Sequence, residues 1–571
     1  MTNFLAFLMI HTDMVNFHFN SKGDMKMVQQ YRATTMGKNG MVTTPHYLAS
    51  QAALEVLHKG GNAVEAAVAA ASTIAVVYPH MNGIGGDNFW LIYNAKTKEM
   101  KALNSSGRAG ENATIEFYKN AGFNKIPARG PLAANTVPGA VAGWEAVHKY
   151  AAESIGNKLE WKELLAQSIH YAKEGFPTTA SQAYWATVNL EEDMEFRMLQ
   201  RFDEFSNIFL KDGESYQEGD MFVQADLGKT LETIATEGPR SFYEGEIAEK
   251  IVADLQRLGG ILTLNDFKEH TSDWVEPLTV DYRGYQAYNL PPNTQGMASL
   301  SILNILNHLN VAKVKEGSEA YYHMLVEAIK LAFIDRDQYL TDPAFADIPL
   351  DELLSKARGE ELANIVAESL QPKELQPLDA KGDTVWYGIV DKEGNAVSII
   401  QSIYHEFGSG IIPRGTGVLL QNRGSYFSLD AQHINCLAPR KRTFHTLNPA
   451  MLLKNGRPAL VYGTMGGEGQ PQTQAMLVTR IIDYGMSVQA AIEAPRFLYG
   501  RTWGATSNTL KLEGRIQKEV QEQLAARGHE IEVLADFTDI MGHAGAIYID
   551  EETDVKFGGA DPRGDGVAIG Y

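Results

Sequence analysis

At 571 residues the chain exceeds the span of one ordinary hydrophobic core, so two domains or one large layered domain are expected. It carries 70 acidic against 50 basic residues, a formal charge of −20, which argues against nucleic acid or an anionic membrane surface as partner. The single cysteine, Cys436, excludes an internal disulfide framework and a thiolate metal site.

Residues 1–10 are apolar, yet no Lys or Arg precedes them, and His11 and Asp13 interrupt the run. A signal peptide has a basic start and an unbroken apolar core. Residues 1–36 are therefore expected to form a poorly ordered N-terminal tail on a cytoplasmic protein, with periplasmic or secreted placement as the alternative. A strand is expected over 40–44 and a helix over 46–58, stopped by Gly60 and Gly61. The apolar run 63–78 contains Glu65 and falls short of the ~20 residues of a membrane span, so it reads as a buried helix ended by Pro79. Residues 82–88 form a glycine-rich turn leading into a strand over 89–93. With no Lys after it and no helix following, a nucleotide-binding reading of this turn is disfavoured.

From Pro138 to about Leu370 the pattern is mostly helical, with helices expected over 296–307 and 320–334 and a strand over 281–285. Residues 371–383 carry two prolines and no apolar periodicity, the signature of an exposed connector. Beyond Thr384 the character turns to β. Two apolar runs, 385–390 and 396–403, flank a glycine-containing hairpin turn that holds Asp391 and Asn395. Strands over 418–421, 459–462 and 544–549 and helices over 472–484 and 487–494 follow. Strands and helices segregated in blocks favour an α+β layered fold over a parallel βαβ sheet.

The stretch Gly382-Asp383-Thr384-Val385-Trp386 stands at the junction of connector and strand. Cleavage between Asp383 and Thr384 would leave an N-terminal threonine, which unites a hydroxyl nucleophile with its own α-amine as base. Near pH 7.7–8, where an unperturbed α-amine titrates, a useful fraction is unprotonated at neutrality.

With these residues the chain resembles the γ-glutamyltranspeptidase family of N-terminal-nucleophile hydrolases, over roughly residues 37–571. The resemblance rests on Gly60-Gly61-Asn62-Ala63-Val64-Glu65, the turn 83–89, Val137-Pro138-Gly139, Asp335-Arg336-Asp337, Phe407-Gly408-Ser409-Gly410, Gly466-Gly467 and Asp561-Pro562-Arg563. It implies a four-layer αββα sandwich of the α+β class, made from a self-cleaving precursor. The large subunit would span 37–383 and the small subunit 384–571, and the two would stay together, with a homo-oligomer of that pair possible. It further implies Thr384 as nucleophile, the Asp383–Thr384 bond as the processing point, Ser402 as a hydroxyl partner, and Gly466 and Gly467 as the oxyanion hole. No His, Asp and Glu grouping has metal-site spacing, so neither metal nor cofactor is expected.

The substrate pocket departs from the family pattern. Where the family has an arginine for the glutamyl carboxylate this chain has Ser106, with Arg108 two residues on as a substitute. Tyr404 and Tyr426 stand in place of the residues that hold the glutamyl amine, and His445 and Thr446 in place of paired serines. The segments 401–410 and 466–472 are most similar to the branch that contains oxamate amidohydrolases. The expected function is hydrolysis of a small carboxamide such as oxamate, with Arg108, Tyr404, Tyr426, His445 and Thr446 as substrate contacts. The alternatives are a glutathione or γ-glutamyl hydrolase or transpeptidase with an altered pocket and, in another class, an unprocessed binding protein.

Overall fold

The computed structural model of the protein describes residues 15–19, 25–29, 31–191, 197–369, 383–500 and 507–571; for 15–19, 25–29 and 383 it describes the backbone alone. The connector expected over 371–383 therefore lies outside the described residues up to Gly382.

Helix Ala63–Val77 is buried on every face and anchors one side of the molecule. Its start is a capping box: Asn62 Oδ1 accepts from the backbone N–H of Val64 (2.9 Å) and Glu65 (3.0 Å), while Glu65 Oε2 accepts from Asn62 N–H (2.9 Å). The other oxygen of Glu65 takes the N–H groups of Lys158 and Leu159, so this charge enters the core fully hydrogen-bonded. The N–H of Ala63 donates to Asp391 Oδ2 (2.9 Å), tying the helix to the turn between strands Asp383–Val390 and Ala396–Tyr404.

Those two strands occupy the middle of a seven-stranded antiparallel sheet. Its order is Asp273–Val275, Glu99–Ser105, Asp87–Asn94, Ala396–Tyr404, Asp383–Val390, Met41–Thr44 and Val567–Gly570. A second antiparallel seven-stranded sheet runs Leu278–Tyr282, Tyr285–Asn289, Ala450–Lys454, Arg457–Thr464, Ala544–Ile549, Lys556–Ala560 and Thr35–Gly37. The sheets pack face to face around Phe89, Leu91, Trp386 and Ile400 from the first and Met451, Val461 and Ile547 from the second. The alternation of strand side chains divides the central strand accordingly. Trp386 and Val390 face the other sheet, whereas Val385, Tyr387 and Ile389 face the helical layer with Ala63–Val77. Helices Gly296–Asn307, Glu319–Tyr339 and Gly469–Val478 cover the outside of the second sheet. The result is the α+β sandwich in four layers, αββα.

Both sheets draw strands from either side of the Asp383–Thr384 bond. The segments 37–383 and 384–571 are interleaved parts of one sandwich, not separate folding units.

Several local expectations differ from the structure. The tail is shorter than 1–36: Val15–Phe19 and Met25–Gln29 pair with each other, Tyr31 and Arg32 donate backbone N–H groups to Glu493, and Thr35–Gly37 edges the second sheet. Residues 281–285 are the turn of a hairpin, because Arg283 (φ +51°) and Gly284 (φ +81°) supply the two left-handed residues of a tight turn. Residues 418–421 enter no sheet; the segment folds back so that its backbone bonds go singly to Gly85, Ser409 and Ile411. The helix expected over 472–484 starts at Gly469 and passes into a π turn over Thr479–Asp483.

Trp386 is 3 % exposed and donates from Nε1 to Ser398 Oγ (3.0 Å). Its indole lies against Gly463 and Gly545 of the facing sheet, where any side chain would collide with the ring. Truncation to Trp386→Ala leaves a cavity between the sheets, and denaturant unfolding is expected to show a loss of about 3–5 kcal/mol. A loss below about 1 kcal/mol would mean that the sheets close over the vacated space.

Candidate active site

The register of the central strand pair breaks at its open end. Asp383 pairs with Tyr404 and Val385 with Gln401, so Ser402 and Ile403 together oppose the single residue Thr384. This is a β-bulge, a device that re-aims side chains at the end of a ladder. Thr384 and Ser402 are both buried. Ser402 Oγ accepts from Tyr404 N–H (2.8 Å), and Tyr404 itself takes φ +83°, a conformation few non-glycine residues adopt. The glycine turn expected over 82–88 abuts the bulge. A Cβ on Gly86 would overlap the Ser402 carbonyl oxygen, so only glycine lets the turn approach this closely.

On the other edge of the same strand, Ser402 pairs with Asp87. The Asp87 carboxyl is fully buried and gathers four chain segments. Its Oδ1 accepts from Gly107 N–H (2.9 Å), Gly139 N–H (3.2 Å) and Gln421 Nε2 (2.9 Å), and its Oδ2 lies 3.2 Å from His445 Nε2. Burial, reinforced by the charges of Arg423 and Arg442, drives His445 well below the usual imidazole range. A carboxylate only accepts, so a neutral His445 facing ionised Asp87 carries its proton on Nε2. Burial lifts the Asp87 carboxyl from 3.8 to about 6, against the pull of its three donors and of Arg423.

Gly466 (φ +116°) and Gly467 (φ +52°) form the turn between strand Arg457–Thr464 and helix Gly469–Val478. A side chain at either φ is strained, and the turn is held from behind. Gln295 Nε2 donates to the carbonyls of Gly467 (2.8 Å) and Thr446 (2.8 Å), and Gln295 Oε1 accepts from Arg336 Nη1 (3.1 Å). Arg336 also meets Glu468 (3.2 Å) and Asp337 (2.7 Å).

A cavity of about 530 Å³ opens beside this arrangement, with Tyr404, His405, Tyr426, Phe444, Arg336 and Asp337 in its wall. Tyr404 and Tyr426 lie with ring centroids 5.8 Å apart, and Tyr426 stacks on Phe444 at 4.6 Å. The other expected contacts are placed elsewhere. Arg108 is about one-third exposed and pairs with Asp273 (2.7 Å), which also holds Arg442. Ser106 is buried and donates to Asn104 Oδ1 (2.7 Å). His445 is bound to Asp87, and Thr446 Oγ1 accepts from Arg423 Nη1 (3.3 Å).

Sequence reading gave no site role to Asp87, Gln295, Arg336 or Arg423. Asp87 had a visible signal, as it lies in the glycine turn, and Arg336 stood in a motif of the resemblance; Gln295 and Arg423 are joined to the site only by packing. Among the described residues, His323, Glu327 and His529 bring possible metal-ligand atoms within 4.8 Å of one another, a grouping that 206 residues of separation hid from spacing arguments. Its members are already engaged: His323 Nδ1 and His529 Nε2 share a hydrogen bond (2.8 Å), and Glu327 takes Lys330 (2.9 Å).

The sequence profile described as gamma-glutamyltranspeptidase matches residues 49–571. The chain belongs to the γ-glutamyltranspeptidase family. It is 48 % identical over 537 residues to the glutathione hydrolase-like YwrD proenzyme of Bacillus subtilis, covering 94 % of this chain and 99 % of that one. It is 45 % identical over 542 residues to the oxamate amidohydrolase proenzyme of Klebsiella pneumoniae, covering 94 % and 100 %. Among solved structures, cephalosporin acylase from Bacillus halodurans superposes with a TM-score of 0.86 at 36 % identity, over 95 % of this chain and 97 % of that one. This member of the γ-glutamyltranspeptidase family is thus an amide-bond hydrolase of the N-terminal-nucleophile type. Among the described residues, no helix is long and apolar enough to cross a membrane.

The raised Asp87 value sets a pH dependence for this transpeptidase-family fold. Its native carboxyl holds a proton that the unfolded one releases, so its contribution to stability is full below about pH 4 and is lost as pH rises through about 6, at up to about 1.4 kcal/mol per unit. Urea titrations of wild type and Asp87→Asn are expected to show their difference declining across this window and level above it. A difference without slope would mean the carboxyl is ionised throughout.

Proposed function

We propose that the protein is a self-processing amidohydrolase whose nucleophile is Thr384. The observation that carries this reading is the burial of Thr384 in the bulge opposite Ser402, on the central strand of the family's sandwich. In the precursor, Thr384 Oγ attacks the carbonyl carbon of Asp383. The C–N bond breaks, the nitrogen becomes the α-amine of Thr384, and water hydrolyses the resulting ester to free the Asp383 carboxylate and the threonine hydroxyl. The segments 37–383 and 384–571 remain together because each sheet contains strands of both.

In turnover the α-amine takes the proton of Oγ as Oγ bonds to the substrate carbonyl carbon. The backbone N–H groups of Gly466 and Gly467 stabilise the tetrahedral oxyanion, the amine protonates the departing nitrogen, and water hydrolyses the acyl-enzyme. Ser402 orients the nucleophile. No step calls for a metal or cofactor. The substrate is a small amide carrying a carboxylate, with oxamate giving oxalate and ammonium as the leading case; the 45 % identity to an oxamate amidohydrolase proenzyme supports this choice. Tyr404 and Tyr426, in the cavity wall, would contact it. Arg108 could join only by leaving Asp273. The 48 % identity to a glutathione hydrolase-like proenzyme keeps a γ-glutamyl amide as the second reading.

On a denaturing gel the purified wild type is expected to run as fragments of roughly 42 and 21 kDa, the smaller beginning at Thr384, while Thr384→Ala stays one chain. Cleavage of the alanine variant at the same bond would remove Thr384 from the mechanism. Faster release of glutamate from a γ-glutamyl anilide than of ammonia from oxamate would favour the second reading.

A further inference from the structure

Arg423 is 1 % exposed, yet its guanidinium is only partly used. Nη1 donates to Thr446 Oγ1 (3.3 Å), while Nε and Nη2 are buried with no hydrogen-bond partner, and among the described residues the side chain forms no ion pair. Burying a guanidinium with an idle pair of donors is costly unless something in the working protein takes them up. The idle pair is informative in itself. Nε–H and one Nη2–H lie along a single edge of the planar group and point in parallel, the arrangement that receives both oxygens of a carboxylate.

Three observations bring Arg423 close to Thr384 and the Gly466–Gly467 turn. Asn422, the preceding residue, donates its backbone N–H to the carbonyl of Ile403, one of the two residues opposite Thr384. Thr446, which holds Nη1, shares Gln295 with Gly467: one side-chain amide donates to both carbonyls. The guanidinium carbon also sits 4.0 Å from the centroid of Tyr404, whose ring reaches the cavity wall. Arg423 is thus linked to the residue opposite Thr384, to the Gly466–Gly467 turn and to the cavity. The nearby acid, Asp87, is committed to four other groups.

We propose that Arg423 is the carboxylate-binding residue of this enzyme, and that its position beside the bulge selects amides whose carboxylate is bonded directly to, or one carbon away from, the scissile carbonyl. The proposal rests on Thr384 being the nucleophile. A γ-glutamyl amide places its α-carboxylate four bonds from the scissile carbon and would overreach this edge.

The test compares wild type, Arg423→Gln and Arg423→Lys on oxamate and on oxamide, its uncharged counterpart, with fragment formation on a denaturing gel as a separate readout. Arg423→Gln is expected to process normally, to lose roughly 100-fold in kcat/KM on oxamate, chiefly through KM, and to change little on oxamide. Arg423→Lys should recover part of the loss, since it restores charge without the planar fork. Equal losses on both substrates, or none on oxamate, would overturn the assignment. If Arg423→Gln does not process, Arg423→Lys carries the same comparison: a larger rise in KM for oxamate than for oxamide supports the site, and equal effects sink it. If processed wild type does not turn over oxamate, the proposed substrate fails while the site is still decided by calorimetry with oxalate. Binding to wild type that Arg423→Gln abolishes upholds it, and equal or absent binding refutes it.

Discussion

The ladder between strands Asp383–Val390 and Ala396–Tyr404 is the constraint on which this molecule turns. It runs in regular register from Val390 to Val385 and then fails, two residues against one, at Thr384. The regular part places the strand at the centre of the first sheet, between the helix Ala63–Val77 and the facing sheet. The irregular part detaches Ser402 and Ile403 from ordinary pairing and delivers them to Thr384. A continuous ladder would have given a stronger edge and no site, since the bulge is what turns side chains out of the plain alternation.

Around that irregularity the protein concentrates buried polar groups. Asp87 collects donors from four segments, Gln295 joins two carbonyls, and Arg336 binds Gln295, Glu468 and Asp337. Burial raises the cost of every unsatisfied member, so each bond also fixes the geometry of its neighbours. The groups that are fully satisfied behave as scaffold. Arg423 stands out because two donors of one buried cation are idle, and the same low-dielectric surroundings that penalise them would strengthen their hold on a carboxylate.

The interleaving of the two chain segments gives the proposed self-cleavage a physical setting. Strands from before and after the Asp383–Thr384 bond are paired with one another in both sheets, and the core between the sheets contains Phe89 and Leu91 from one segment and Trp386, Val461 and Ile547 from the other. Cutting one peptide bond at the end of a strand leaves that buried surface intact. The proposed cut would change only what lies at the bulge, where a backbone link would become an amine.

Much of this was legible in the residues themselves. The capping box at Asn62, the buried run after it, the hairpin around Gly394 and the change of character at Thr384 are local signals, set by backbone preference and side-chain periodicity over a few residues. Thr384 could be singled out because a nucleophile that is also its own base needs no distant partner. The position of Arg423 could not be read this way. Arg423 owes its significance to a ring 19 residues earlier, a threonine 23 residues later and the lack of a carboxylate between them. Likewise, Arg108 looked like a substrate contact until Asp273, 165 residues away, claimed it. Sequence alone determined most of the local elements, because caps, turn residues and apolar periodicity act over a few residues. Only the tertiary structure decided which charges are spoken for and which is left facing the site, because pairing depends on what the fold brings within hydrogen-bond reach.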